Sequence, residues 1–270
     1  MSALDSILEH LAPALLVIFR IGGLMIFAPV LGASVVPARV KVGLAFLIGI
    51  AVYPLLQSTV LANTHLRLDL WSLAPMVALE LVIGLVIGYA ANIPLMALQT
   101  GGLLMGQQMG LGFARFFNPA IDDEADVVGQ VLYFMALASF LMIGGHESML
   151  LALLHSFDHV PLGGFVPDQS LLDLVLGLLL ASFELAIRVA TPLLAIVFVE
   201  SVAMGFLAKT VPQLNILSLG FPIRIITGFA IIAFGLMVIN GLLVDSLNHT
   251  LDQVMAWIES AGPLATPGTP

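Results

Sequence analysis

Long runs of apolar residues are the feature that most restricts what this chain can fold into. About six of them reach the length of a membrane-spanning helix, and they cover approximately residues 11–36, 42–61, 70–99, 131–154, 171–208 and 225–244. Because 60% of the residues are apolar, the chain is better suited to lipid or to a large hydrophobic assembly than to water. The sequence therefore predicts an all-α, polytopic hydrophobic protein built from about six long helices.

Two of these predicted helices, 70–99 and 171–208, are longer than a bilayer requires, so we expect them to tilt, kink or extend into a partner protein. Pro94 and Pro192 are the predicted kinks, because proline removes a backbone donor and crowds the preceding turn. The helices are expected to form a single domain over residues 1–260, followed by a disordered tail over 261–270.

Charge is scarce and its distribution is informative. The net charge of -9 at pH 7 argues against nucleic acid as a partner, since nucleic acid is bound through clustered Lys and Arg. Most of the basic residues fall in alternate connections, around Arg39, Lys41, Arg115, Lys209 and Arg224. The positive-inside rule then predicts that these connections are cytoplasmic and that both termini lie on the other side of the membrane.

Five charged residues lie within the apolar segments, where an unpaired charge costs at least ~2.5 kcal/mol. Glu184 and Arg188 are four residues apart, so one helix can pair them. Arg20, Glu80 and Glu200 have no such neighbour and need a partner from another segment, another subunit or a wet cavity. Structural pairing is favoured over ion transport, because a proton relay requires a longer chain of titratable groups.

Glycines spaced four residues apart predict close helix packing. Gly84 and Gly88 form one such pair, and Gly102 and Gly106 form another. Small residues at this spacing create a groove that another helix backbone can approach. The spacing leaves open whether the second helix belongs to this chain or to another subunit.

A concentration of acids follows these glycines. Residues 118–130 read NPAIDDEADVVGQ and hold Asp122, Asp123, Glu124 and Asp126. A helicase motif would need a phosphate-binding loop that the sequence lacks, and a calcium loop would need Gly where Val127 stands. His residues elsewhere form no pattern typical of a metal site or a catalytic site. We therefore predict no catalytic residue, metal or cofactor.

The segment before the acids must leave its helix. Pro119 disfavours a helical conformation at Asn118, so the helix is predicted to end between Gly110 and Phe117. A non-helical segment at membrane depth persists only where it is buried in protein or lines a cavity. Phenylalanines dominate this segment, and Met105 and Met109 precede it one turn apart.

Four ordered motifs resemble the FliR family of flagellar export-gate proteins. They are FRIGGLMIFAPVLGASVVPARVKVGLAFLI (19–48), MGLGFARFFNPA (109–120), the His of IGGH (143–146) and KTVPQLNILSLGFPIR (209–224). The likeness extends over at least residues 19–243, and residues 191–232 also resemble FliQ, a small hairpin protein of the same gate.

The resemblance implies a helical subunit without enzymatic activity or cofactor. Such subunits join FliP-like and FliQ-like subunits, with an FlhB-like subunit attached, in the bacterial inner membrane at the flagellar basal body. Their assembly extends to the periplasmic side and forms the channel through which unfolded flagellar export substrates leave the cytoplasm. Membrane lipid and these proteins are therefore the expected partners.

In the family, the loop after the third helix projects into the pore as a plug. Carried onto this sequence, the plug covers about residues 110–123, with Met105 and Met109 as candidates for lining the pore. The phenylalanines would seal the closed channel and the acids would anchor the loop in the wet part of the lumen. Its expected residues are Gly110, Gly112, Phe113, Phe116, Phe117, Asn118, Pro119, Asp122 and Asp123.

Two alternatives stay open on the residues alone. The charges within the apolar segments could serve a transporter or ion channel that works by itself. The same type of gate also operates in the virulence-associated injectisome.

Overall fold

A computed structural model describes residues 3–56, 70–111, 127–211, 213 and 216–261, and every regular element over these ranges is helical. In chain order the α-helices are α1 (Ala3–Phe27), α2 (Ala38–Val52), α3 (Leu70–Met109), α4 (Val127–Met142), α5 (Gly145–His159), α6 (Gln169–Thr210) and α7 (Ile216–Ala261). A short 3-10 helix, Tyr53–Leu56, extends α2. The prediction of an all-α polytopic protein is confirmed. The predicted disordered tail, apart from Ala261, lies outside the described residues.

Five helices in the described ranges are long and apolar enough to cross a membrane, and these are α1, α2, α3, α6 and α7. Helices α4 and α5 together make a sixth candidate, but they meet at a bend of 65° instead of forming the continuous span predicted over 131–154. Gly144 lies at the bend with φ of 76°, a left-handed conformation that glycine adopts without steric cost. An apolar count did not detect this break, because apolar residues continue on both sides of it.

Helices α6 and α7 are also longer than the apolar segments predicted for them. Helices α6 and α7 contain 42 and 46 residues, which correspond to about 63 and 69 Å and exceed a hydrocarbon core of about 30 Å. Helix α7 continues to Ala261, well beyond the predicted end at residue 244, although its last turns are polar. Pro94 and Pro192 both lie inside uninterrupted helices, α3 and α6 respectively.

The described residues divide into two compact units that alternate along the sequence. Unit 1 contains residues 1–93, 144–178 and 248–270, and unit 2 contains residues 94–143 and 179–247. Helices α3, α6 and α7 each contribute to both units. The prediction of a single domain over residues 1–260 stays a prediction.

In unit 1, glycines let α1 and α3 pack backbone against backbone. A Cβ atom added at Gly84 would collide with the carbonyl oxygen of Arg20, and one added at Gly88 would collide with that of Leu24. Gly23 of α1 meets the backbone of Leu81 in the same way. The spacing that predicted close packing at Gly84 and Gly88 is therefore used within this chain.

Unit 2 contains comparable contacts at Gly101, whose added Cβ would lie 2.9 Å from the carbonyl oxygen of Ala186, and at Gly102, together with looser ones. A Cβ atom at Gly102 would lie 2.5 Å from the Cα atom of Gly129, so α3 and α4 approach each other closely at that point. The nearest atom to a Cβ at Gly106 is 3.7 Å away, in the side chain of Val128, which is an ordinary contact. Elsewhere in unit 2, α6 and α7 expose large apolar side chains, among them Phe183, Phe198, Phe206, Phe234 and Met237.

Candidate functional site

An ion pair lies at the centre of unit 1. Arg20 is on the third-last turn of α1 and Glu80 is on α3, 60 residues later in the sequence. The Nε atom of Arg20 donates to Oε2 of Glu80 at 2.5 Å, and both side chains are fully buried. Each residue is therefore the ion-pair partner that the other does not have within its own helix.

Further groups complete the hydrogen bonding of this pair. Arg20 Nη1 donates to the carbonyl oxygen of Ser156 at 2.8 Å and to its Oγ atom at 3.1 Å, and Nη2 donates to the carbonyl oxygen of Val160 at 3.1 Å. The second carboxylate oxygen of Glu80 accepts from the backbone N–H of Gly163 at 2.8 Å. The ring of Phe157 lies 4.4 Å from the guanidinium carbon. The pair thus connects α1, α3, α5 and the segment that follows α5.

This arrangement is suited to holding the helices together. A buried charge is tolerated when it is paired and its other polar atoms are satisfied, and both conditions are met for Arg20 and Glu80. The additional partners, Ser156, Val160 and Gly163, contribute hydroxyl, carbonyl and amide groups, which do not titrate near neutral pH. No chain of titratable groups therefore leads away through these contacts.

A second charged cluster joins α6 and α7 within unit 2. Arg224 Nη2 donates to the Oγ atom of Ser201 at 2.8 Å, while its Nε atom is 4.0 Å from Oε1 of Glu200. Both carboxylate oxygens of Glu200 are buried, yet neither has a hydrogen-bond partner among the described residues. Glu200 therefore lies near a cation but accepts no hydrogen bond within the described part of the chain.

Glu184 and Arg188 form the predicted pair along α6. Arg188 Nη2 donates to Glu184 Oε1 at 2.5 Å. Their side chains are 67% and 58% exposed, so this pair faces away from the described part of the chain, unlike Arg20 and Glu80.

Helix α3 ends where the predicted plug begins. Met109 is its last residue, and Gly110 follows with φ of 82° and donates its N–H to the carbonyl oxygen of Gln107 at 3.1 Å. This left-handed glycine is a common way to end a helix. Met105 and Met109 are buried by the chain itself, so their side chains would have to rotate in order to line a pore. Their pore-lining role stays a prediction.

Most of the predicted plug cannot be placed. Gly110 and Leu111 belong to the described residues, and the other predicted plug residues lie outside them, namely Gly112, Phe113, Phe116, Phe117, Asn118, Pro119, Asp122 and Asp123. The plug therefore stays a prediction. Across the described ranges, no group of three or more His, Asp or Glu side chains could hold a metal ion.

Sequence reasoning missed the partners that complete the Arg20 and Glu80 pair. Ser156 and Val160 bind through backbone carbonyls, which every residue type carries, so no motif marks them. Gly163 has φ of 69°, and the Gly-Gly pair at 163–164 was the available signal for a special backbone position.

Similarity to known proteins extends over most of the chain. A sequence model of the family described as "Bacterial export proteins, family 1" matches residues 11–250. The chain is 32% identical to the flagellar biosynthetic protein FliR of Escherichia coli (strain K12) over 250 residues, which cover 92% of each chain. It is 28% identical to the FliR protein of Bacillus subtilis (strain 168) over 239 residues, covering 87% of this chain and 90% of that protein. It is also 27% identical to the Yop proteins translocation protein T of Yersinia pestis over 184 residues, covering 67% of this chain and 69% of that protein.

Proposed function

The chain belongs to the FliR family, described as bacterial export proteins of family 1, and from this premise we propose that it is a subunit of the type III protein export gate of the bacterial flagellum. The observation that carries this proposal is the family match, which extends over residues 11–250 and therefore over nearly all the described helices. Five or six helices of membrane-spanning character agree with a membrane-embedded subunit.

The proposed role is structural rather than catalytic. The protein assembles with FliP-like, FliQ-like and FlhB-like subunits into the channel that receives unfolded export substrates. Support comes from α6 and α7, which expose rows of large apolar side chains that nothing in the described part of the chain covers. Residues 191–232, which resemble FliQ, belong to these two helices and to the connection between them.

The proposed location is the inner membrane at the flagellar basal body. The positive-inside rule orients the start of α2, with Arg39 and Lys41, towards the cytoplasm. It orients the end of α6, with Lys209, in the same direction.

The proposed plug comprises residues 110–123. A channel that passes unfolded protein must still hold back ions when idle, and apolar side chains in a constriction do this by excluding water. The left-handed Gly110 ends α3 at the first residue of this segment, which supports a change of direction there. Phe113, Phe116 and Phe117 provide the apolar groups of the seal.

Deletion of residues 112–119 tests the gate and the plug together. We expect the gate complex to assemble with its usual mass in mild detergent, but to leak small ions in intact cells while retaining part of its export activity. The control is an equally long deletion of the tail, residues 263–270, which should assemble without leaking. Native mass measurement and an ion-flux assay read out the two properties separately.

The possible outcomes separate the alternatives. A deletion variant that assembles without leaking would contradict the plug. Loss of assembly would mean that the phenylalanines are ordinary core residues. A stable monomer of the unmodified protein that conducts ions would contradict the gate proposal and favour a transporter or channel that acts alone.

A gate subunit of an injectisome is the second candidate, because the Yop proteins translocation protein T is also similar. The flagellar assignment is favoured because the similar FliR protein of E. coli matches 92% of this chain, compared with 67% for protein T. Restoration of motility in a flagellated bacterium that lacks its own FliR distinguishes the two systems.

A further inference from the structure

An apolar groove in unit 1 has no role in the proposed gate. It lies between the last turns of α1 and the first turns of α2, and its volume is about 340 Å³. Ile18, Gly22 and Met25 line one side, and Val42 and Ala45 line the other. The rim residues Ile26 and Val42 are 46% and 69% exposed, so the groove is open to the surroundings of the chain. Its volume falls within the range of about 300–1,000 Å³ that is typical of ligand pockets.

A positive charge lies at one end of this groove. Of the described residues that line it, Lys41 alone is charged. Its Nζ atom donates to the carbonyl oxygen of Gly32 at 2.8 Å, which fixes the ammonium beside the connection between α1 and α2. An ammonium has three N–H donors, so two of them are available for another acceptor.

The start of α2 adds to the positive potential. The first turn of α2 contains no acidic residue, and Pro37 provides no side-chain cap. The helix dipole therefore favours an anion at this end, where Lys41 also lies. The exposed Arg39 contributes a further positive charge nearby in the same turn.

The length of the groove matches one lipid chain. Its lining on α1 extends from residue 18 to residue 26, which corresponds to about 12 Å. One leaflet of the hydrocarbon core is about 15 Å deep, half of a core of about 30 Å. An acyl chain that lies along the groove can thus remain within one leaflet while its headgroup reaches the Lys41 end.

We propose that this groove binds an anionic phospholipid of the surrounding bilayer. One acyl chain packs between α1 and α2, and the phosphate accepts hydrogen bonds from Lys41. Basic pockets between membrane helices on the cytoplasmic side bind acidic lipid headgroups, and this geometry has both required parts, an apolar slot and a cation at its mouth. The proposal does not depend on the plug or on export activity.

Two substitutions separate the apolar part of the site from its charge. Gly22→Leu fills the groove, and a Cβ atom at Gly22 meets no atom within 4 Å, so the helices need not move. Gly43→Leu is the matched control, because Gly43 also has open space around it but does not line the groove. Lys41→Gln removes the charge, and Lys209→Gln removes a lysine from the end of α6 as its control.

Native mass spectrometry of the full chain, co-purified with its partner subunits, measures the lipids retained after addition of phosphatidylglycerol or phosphatidylcholine. We expect the unmodified protein to retain roughly fivefold more phosphatidylglycerol, which is the effect of about one lysine near the headgroups. Lys41→Gln should lose most of this preference, Gly22→Leu should lose one lipid of either kind, and both controls should behave like the unmodified protein.

Equal retention of both lipids by the unmodified protein would overturn the proposal, as would unchanged retention by Gly22→Leu. Displacement of phosphatidylglycerol by excess inorganic phosphate would indicate a site for a free anion and would also overturn it. If Gly22→Leu does not assemble, a photoactivatable cross-linker at Val42 decides the question. Cross-links to lipid support the proposal, and cross-links to another subunit mean that a protein helix occupies the groove.

Discussion

Unit 1 and unit 2 differ in how they accommodate charged side chains on helices of membrane-spanning length. In unit 1, Arg20 and Glu80 are fully buried and paired, and their remaining hydrogen-bonding atoms are bound by α5 and the segment after it. In unit 2, Glu184 and Arg188 pair on an exposed surface of α6. Glu200, also in unit 2, has two buried oxygens that accept no hydrogen bond from the described residues.

The difference indicates in which unit the charges are satisfied internally. A satisfied buried pair needs nothing from outside, whereas exposed charges on an apolar helix and an unsatisfied carboxylate carry a free-energy cost until another group binds them. Exposed apolar side chains do not follow this division, since Trp71 and Val35 of unit 1 are as exposed as Phe234 and Met237 of unit 2. We infer that the charges of unit 1 stabilise the chain internally, whereas those of unit 2 are open to groups outside the described residues.

The largest effect on the free energy of unfolding is expected when one charge is removed from each unit. Glu80→Ala should lower the free energy of unfolding by about 3–5 kcal/mol, because it leaves Arg20 buried and unpaired. Glu184→Ala, the matched change in unit 2, should cost only about 0.3–0.5 kcal/mol, the value of an exposed pair on a helix. Unfolding in mixed micelles, followed by tryptophan fluorescence, measures both. Similar losses for the two variants would contradict the distinction between the units.

A smaller effect is expected from glycine substitutions. Gly84→Ala forces a methyl group against the carbonyl of Arg20 and should cost about 1–3 kcal/mol, since neither backbone can move freely. Gly228→Ala in unit 2 should cost less, because its Cβ would meet the flexible side chain of Met109 at 2.6 Å. Gly43→Ala, with open space around it, is the control for loss of glycine itself. The same unfolding assay applies, and a larger loss at Gly228 than at Gly84 would reverse the comparison.

The smallest expected effect concerns the start of α6, at the solvent-exposed edge of unit 1. Ser170 donates its hydroxyl and its backbone N–H to Asp168, and these bonds, chiefly the one from the hydroxyl, lower the pKa of this carboxyl. A carboxyl whose pKa is lowered by folding stabilises the fold above its usual pKa of about 4, and this contribution is lost as the pH falls below that value.

Asp168→Asn should keep a capping side chain but remove this pH dependence. The expected result is a slightly lower melting temperature at neutral pH, with a difference from the unmodified protein that disappears in acid. This difference in melting temperature is measured by thermal melts at several pH values from about 3 to about 7, a range that includes the usual carboxyl pKa. A constant difference across this range would mean that Asp168 does not act through its charge.

Sequence reasoning predicted the helices well because membrane helices leave a strong apolar signal. It predicted their ends poorly, since hydropathy reports solvation in lipid and not helix formation. Helix α7 illustrates this, because it continues through Asp245, Asp252 and Glu259, beyond the predicted end at residue 244. Helix α1 ends at Phe27 rather than near residue 36, and the backbone turns through Pro29 and Val30, the latter with φ of 68°.

In the candidate site, contacts within one helix could be predicted from the sequence, whereas contacts between helices could not. The pairing of Glu184 with Arg188 could be predicted from the sequence, because residues four apart lie about one helical turn from each other. The pairing of Arg20 with Glu80 depends on how α1 packs on α3, and no spacing within one helix encodes that contact. Sequence identified Glu80 as a charge that required a partner, but only the fold identifies that partner.

The wide sequence separation within the Arg20 cluster has a consequence for biosynthesis. Arg20 is synthesised 60 residues before Glu80, and its bonds to Ser156 and Val160 require 136 and 140 further residues. At roughly 5–20 residues per second, the wait between Arg20 and Val160 is on the order of ten seconds. Until the third helix supplies Glu80, the nascent first helix carries an unpaired guanidinium, and the remaining donors of Arg20 lack their partners until the fifth helix emerges. The first helix must therefore remain beside water, headgroups or the insertion machinery during this time. Formation of the complete cluster is thus a late step in the folding of the chain, after which α1 can pack against α3 and α5.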